Sequence, residues 1–201
     1  EELAKMKAGK TDIDVLTISD MYAYQGMKDG LLSSIRIENV PNYRDLHEGF
    51  QNPPWDPGPK VYSVSLIWGD RAIAWNTKKC QPPKSWAALW NKAYDGHVAI
   101  SGTASETIPD TALYLGQDPN NIADMKTVVN ALKELRPRLL KFWTSGADLS
   151  SLFANGDVWI ANFWRGRVNN LKKEGYPVSY SVPKEGSLVW ADTLIIPANS
   201  K

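Results

Sequence analysis

The 201-residue sequence has one cysteine, Cys80, two histidines, His47 and His97, and almost no net charge. Each scarcity excludes something. A single cysteine rules out an intrachain disulfide, and two separated histidines with one distant thiol cannot assemble a metal cluster. Lys and Arg number 23 against 22 Asp and Glu, so there is no electrostatic footprint for nucleic acid or an anionic membrane. No apolar run approaches the ~20 residues of a membrane helix. The opening residues Glu1-Glu2-Leu3-Ala4-Lys5-Met6-Lys7 are charged, unlike a secretory leader, although a mature chain would also lack one. There is no Ser-His-Asp set, phosphate-binding Gly-rich loop or metal-ligand spacing.

Tryptophan is abundant instead, with nine copies. Its large amphipathic ring suits flat or cationic ligands. The hydrophobic share of 43% is ordinary for a globular chain and excludes disorder. The length allows one large domain or two small ones, with a core of their own.

Along the chain, residues 12–19 read as a strand ending in Ser19-Asp20, which can cap a helix over 22–28 that Gly30 stops. Residues 51–60 carry four prolines and one glycine and read as a loop. Residues 61–76 read as two strands broken by a hairpin turn at Gly69-Asp70. Ser85 can cap a helix over 86–92, and 97–101 is a short apolar strand. A small-residue turn at 102–106 precedes a helix over 109–115 with Pro109 in its first turn. Helical spacing runs from 122 to 140, ended or kinked at Pro137. A helix over 147–154 stops at Asn155-Gly156. A strand over 158–163, a helix over 167–174 and strands over 178–182 and 193–196 complete the pattern.

This alternation predicts an α/β fold with largely parallel pairing. Ligands of open α/β sheets sit beyond strand ends, which singles out four turns: 19–22, 102–106, 163–167 and 190–192. By pattern alone Trp68, Trp75, Trp86, Trp90 and Trp159 belong to the core. Trp164 and Trp190 would join them. Asp192, between a tryptophan and an apolar strand, is costly to bury unpaired and calls for a partner.

Several segments together are recognisable: Asp14-Val15-Leu16 through Ser19; Ile67-Trp68-Gly69; Ser85-Trp86-Ala87-Ala88-Leu89-Trp90; Asn162-Phe163-Trp164; and Pro183-Lys184-Glu185-Gly186 through Trp190-Ala191-Asp192 to Ile196-Pro197-Ala198-Asn199. In this order, from about residue 10 to the end, they resemble the polyamine-binding family of extracellular solute-binding proteins, receptors of ABC importers for spermidine and putrescine. The resemblance implies a two-lobe periplasmic-binding-protein-like fold (type II). It implies residues 1–75 and 184–201 in the N-terminal lobe, residues 76–183 in the C-terminal lobe, and crossover strands joining lobes that close on ligand. It also implies a fragment lacking the first β-α unit and the C-terminal helices. A non-enzymatic, monomeric, periplasmic or membrane-anchored binder is expected, with no cofactor, no metal and no nucleic acid, partnered by a membrane permease of an ABC importer.

Position by position, the resemblance makes Ser19 a cleft serine, Glu106 an acid that holds an amine, Trp164 and Trp190 the rings around a methylene chain, and Asp192 the carboxylate that grips an ammonium. An ammonium gains from a close carboxylate and from ring faces within about 6 Å. Methylenes add roughly 0.8 kcal/mol each on burial. Three departures stand out. Met21 replaces a tyrosine of some relatives, Thr103 an aspartate of spermidine binders, and Arg167 an aspartate of putrescine binders. A guanidinium at about 4 Å from a ligand cation costs on the order of 4 kcal/mol at an effective dielectric near 20. The same group would fork onto a carboxylate. The expected ligand is therefore a small amine, with a zwitterionic ω-amino acid of the γ-aminobutyrate kind ahead of a polyamine. Quieter readings pair Arg167 with Glu106 or Glu174 and leave Arg165 exposed. A true spermidine/putrescine binder, a sensor domain, and a Trp-rich carbohydrate-active enzyme using Glu106 and Asp192 remain alternatives.

Overall fold

A computed structural model of the chain describes residues 2–9 and 12–200. It is a mixed α/β structure that divides into two compact units. One holds the described residues up to Trp68 together with those from Trp190 onward; the other is Gly69–Val189.

The first unit contains α1 (Glu2–Lys7), β1 (Leu16–Ser19), α2 (Asp20–Lys28), β2 (Leu32–Ser33) and α3 (Glu48–Gln51). It also takes the start of β3 (Ser63–Asn76) and, from the far end of the chain, most of β8 (see below). The prolines of the 51–60 segment keep it irregular, and Asp56 organises it. One Asp56 carboxylate oxygen accepts from the backbone N–H groups of Tyr62 and Ser63 at 2.8 Å each. That leads the chain straight into β3.

The second unit contains the rest of β3, β4 (Val98–Ser101), α4 (Ala104–Tyr114), α5 (Met125–Leu135), β5 (Leu139–Trp143), α6 (Gly146–Asn155), β6 (Ile160–Trp164), α7 (Arg165–Lys173) and β7 (Val178–Ser181). β3 lies antiparallel to both β6 and β7, whereas β4 is parallel to β5 and β6. The central strands are buried on both faces, so they read as continuous apolar runs. β4 sends Ala99 to a cluster with Trp143, Phe153, Phe163 and Val168, and Val98 and Ile100 to a second cluster with Trp86, Leu89 and Leu135. Helix ends follow local chemistry. Ser145 accepts from the Asp148 N–H at 3.1 Å, and Gly156 takes the left-handed φ of 81° that ends α6.

β8 (Leu188–Pro197) closes the first unit. It pairs antiparallel with β1, Leu16 opposite Ile195 and Ser19 opposite Asp192, and with β2, Leu32 opposite Pro197. Ala191, Thr193 and Ile195 are fully buried, with Ile195 beside Met6, Ala23 and Leu32.

The family-like segments make direct contact within the second unit. Ser85 both caps the 3₁₀ turn Trp86–Trp90, accepting from Ala87 N–H at 3.1 Å, and donates to Glu185 at 2.5 Å. The indole N–H of fully buried Trp86 donates to the Gly186 carbonyl at 3.0 Å.

Several sequence expectations are corrected. There is no hairpin at Gly69-Asp70: β3 runs through as one strand of 14 residues. A tight hairpin turn needs positive φ, and Gly69 is not among the glycines that have it. Pairing is mostly antiparallel, because β3 and β8 each have antiparallel neighbours on both counts given above. Pro109 lies inside α4 rather than in its first turn. The bond it forgoes would have gone to the carbonyl of Ser105, an exposed residue. The helix over 122–140 is shorter. Pro137 sits in a 3₁₀ turn after α5, and Leu139–Trp143 form β5, a strand the pattern had hidden. The segment after Ser85 is 3₁₀ rather than α. Trp68 is not core: it is 59% exposed, with its ring against Phe50 at 5.5 Å.

Candidate functional site

In the first unit, β1 and β8 bring Ser19 and Asp192 directly opposite each other, so their side chains share a face. Trp190 lies two residues before Asp192 and therefore on that same face. Ser19 stands at the N-cap of α2 without a side-chain cap bond. The capping role falls to Asp20, whose carboxylate accepts from Met21 N–H at 2.7 Å and Ala191 N–H at 3.1 Å.

Two carboxylates thus meet at one strand end. Burial pushes the Asp192 carboxyl up, and nothing opposes it. Asp192 makes no ion pair or side-chain hydrogen bond among the described residues. Burial also raises Asp20; its two backbone bonds pull it back part of the way, and the negative charge of Asp192 adds to the rise. The indole N–H of Trp190 is buried with no acceptor among the described residues. The surroundings call for a cation at the acids and an acceptor at the indole.

In the second unit, Glu106 is the third residue of α4, in its first turn. One of its oxygens accepts from the Ser101 hydroxyl at 2.5 Å. The other lies 3.3 Å from an Arg71 nitrogen. Arg71, on β3, is only 4% exposed. Its Nε and Nη2 each donate to Asp110 at 3.1 Å, and Nη2 also reaches the Glu106 carbonyl at 2.9 Å. Asn162 of β6 completes the cluster. It donates to Asp110 at 2.6 Å and accepts from Ser101 N–H at 2.8 Å and the Trp143 indole at 3.1 Å. Burial pushes the Asp110 carboxyl up, with Arg71 and Asn162 opposing and Glu106 adding to it.

Trp164 ends β6, half-buried, edge-on to Trp143 at 5.0 Å. Arg167 is exposed in the first turn of α7. A Cβ built on Gly146 would lie 2.8 Å from Arg167 Nε and 2.9 Å from Trp164 Cζ3. Ring and guanidinium therefore both pack against the start of α6. Arg167 makes no ion pair among the described residues; neither Glu106 nor Glu174 takes it. Arg165 is bound instead to Asp70 through two 2.6 Å bonds, with its guanidinium 4.7 Å from the Tyr180 ring.

Of the six residues singled out by sequence, Ser19, Trp190 and Asp192 come together in the first unit. Trp164 and Arg167 come together in the second, and Glu106 belongs to a separate buried network there. Asp20, Arg71, Asp110 and Asn162 were missed. The spacing Glu106-x-x-x-Asp110 puts two acids on one helical face, and that was the available signal. Among the described residues no group of His, Cys, Asp and Glu is arranged to hold a metal ion. No helix among them is long and apolar enough to cross a membrane.

The whole of residues 2–201 matches the family of bacterial extracellular solute-binding proteins, and the chain belongs to that family, one of binding proteins rather than enzymes. It is 33% identical over 192 residues to spermidine/putrescine-binding periplasmic protein 1 of Haemophilus influenzae, covering 94% of this chain and 52% of that protein. It is 30% identical over 203 residues to the spermidine/putrescine-binding periplasmic protein of Escherichia coli, covering 98% of this chain and 58% of that one. The chain thus spans little more than half the length of these curated relatives. Its fold matches the crystal structure of the spermidine/putrescine substrate-binding protein PotD of Streptococcus pneumoniae with a TM-score of 0.80 at 24% identity, over 100% of this chain and 62% of that one. The relatives are polyamine-type periplasmic binding proteins, as the sequence motifs imply.

Proposed function

We propose that this chain is part of the substrate receptor of an ABC importer. In this reading it captures a small zwitterion of the ω-amino acid class outside the cytoplasmic membrane and delivers it, as a monomer, to a membrane permease. The ligand ammonium goes to Asp192, with Asp20, Ser19 and Trp190 around it. Its carboxylate goes to Arg167, with Trp164 alongside the methylene chain.

The observation that carries this is the distribution of charge. Glu106, the acid that would hold a second amine, is already engaged by Arg71 and Ser101. Arg167 has no anionic partner among the described residues. One unit offers an unpaired carboxylate, the other an unpaired guanidinium. A zwitterion carries a group complementary to each of these, whereas a dication carries none for the guanidinium.

A second reading, a diamine or polyamine binder, is favoured by the relatives, two of which are named for spermidine and putrescine. Titration calorimetry with γ-aminobutyrate, 5-aminovalerate, putrescine and spermidine separates the two. Tighter binding of the amino acids is expected, and a preference for putrescine or spermidine by tenfold or more would overturn the zwitterion reading.

A further inference from the structure

Arg71 does not contact solvent to any useful extent, yet it decides what Glu106 has left to offer a ligand. Its guanidinium is oriented by Asp110, which fills Nε and Nη2, and Asp110 is in turn held by Asn162. This leaves Nη1 directed at the Glu106 carboxylate, 3.3 Å away. The Glu106 side chain is 18% exposed against 5% for Arg71 and 5% for Asp110, so Glu106 is the member of the cluster that reaches toward solvent. Its two oxygens are taken by Arg71 on one side and the Ser101 hydroxyl on the other.

We propose that Arg71 is a specificity-determining positioning residue: by occupying Glu106 it withdraws a carboxylate from amine recognition and turns the second unit away from diamines. The inference rests on the solute-receptor reading of Glu106, and it adds the residue that sets ligand charge preference. Asp110 and Asn162 serve it by fixing the guanidinium. Without them Arg71 would swing, and Glu106 would become available to a ligand cation. The chemistry on which this turns is shared charge. One guanidinium divides its donors between the Asp110 and Glu106 carboxylates and the Glu106 carbonyl, and its single positive charge is shared by the two acids.

The test compares putrescine and γ-aminobutyrate affinities by calorimetry in four proteins. Arg71→Gln alone leaves Asp110 buried without its partner and can fail to fold. The informative variant is therefore Arg71→Gln with Asp110→Asn, a neutral pair of similar shape. It is expected to gain at least about tenfold in putrescine affinity relative to γ-aminobutyrate, the size of one hydrogen bond to a charged group. Arg71→Lys retains the positive charge and is expected to keep the wild-type preference. Adding Glu106→Gln to the neutral-pair variant is expected to abolish the gain. An unchanged putrescine to γ-aminobutyrate ratio in the neutral pair, including no putrescine binding at all, overturns the role of Arg71. So does a gain that survives Glu106→Gln. The readout is a change between variants. A wild-type preference for putrescine would sink the zwitterion ligand while leaving the Arg71 inference to stand or fall on this shift.

Discussion

Arg165 donates to both carboxylate oxygens of Asp70, at 2.6 Å each, and Tyr180 adds a third bond at 3.0 Å. The pair stitches α7 and β7 to the middle of β3, at the point where a turn was expected. Burial alone would push the Asp70 carboxyl up; the bonds from Arg165 and Tyr180 outweigh it and hold the carboxyl below its ordinary value. Burial and the adjacent Asp70 charge raise the Tyr180 phenol, so it stays protonated as a donor. A carboxylate with a lowered folded pKa stabilises above its unfolded pKa, near 4, and loses that stabilisation as pH falls through the lower folded value. The Asp70→Asn variant should therefore be less stable than wild type at pH 7 by about 1 kcal/mol, since the arginine is half exposed. The difference should shrink as pH falls below the unfolded carboxyl pKa, near 4, and vanish once the folded carboxyl is protonated as well. Urea melts across pH would show it, and a pH-independent difference would refute it.

Asn162 satisfies three buried groups at once, those of Asp110, Ser101 and Trp143. Replacing it by alanine leaves an amide N–H, an indole N–H and a carboxylate oxygen without that partner. A loss of about 3 kcal/mol is expected, read as a fall in the urea midpoint with an unchanged slope. A loss under about 1 kcal/mol would show that water fills the gap.

Asp192 should trade stability for binding. Its raised carboxyl means that ionisation is disfavoured in the fold. The stabilising contribution is present below the unfolded pKa and lost as pH rises through the folded one. Asp192→Asn should therefore stabilise the unliganded protein at pH 7 slightly, by on the order of a few tenths of a kcal/mol for a partly buried group, read as a small rise in the thermal midpoint. Amine affinity should drop about tenfold or more. A variant that binds as wild type does would remove Asp192 from the ligand site.

Gly146 is small because Arg167 and Trp164 lie against it. In Gly146→Ala the flexible arginine can swing away. The tryptophan, braced by Trp143 and Phe163, must tilt. Overpacking of this kind costs about 1 kcal/mol, partly offset by the better helix propensity of alanine. The expected signature is a shifted tryptophan emission spectrum with a small stability change. An unaltered spectrum would mean the ring is not confined.

Much of the architecture was legible because it is locally encoded. Ser85, Asn155-Gly156 and the apolar runs of β4 and β6 mark their elements by side-chain chemistry within a few residues. β5 was not legible, because Leu139, Leu140 and Phe142 continue the apolar spacing of the preceding helix and only the partner strand β4 decides between the two. The turn expected at Gly69-Asp70 failed for a related reason: dipeptide propensity yields to strand partners and to Arg165, 95 residues away. At the candidate site the motif residues Ser19, Trp190 and Asp192 could be read from their segments. Arg71 could not, since an arginine inside an apolar strand acquires meaning only from Asp110 on a distant helix.

The pleat of β8 gives this region two separate evolutionary freedoms. Trp190 and Asp192 occupy one side of the strand, while Ala191, Thr193 and Ile195 fill the other. Substitutions at positions 190 and 192 leave the fully buried side of the strand in place. A single inserted or deleted residue would exchange the two sides and drive a carboxylate into hydrocarbon. Change on this side of the strand is thus confined to substitution, and length change within the strand is closed to it.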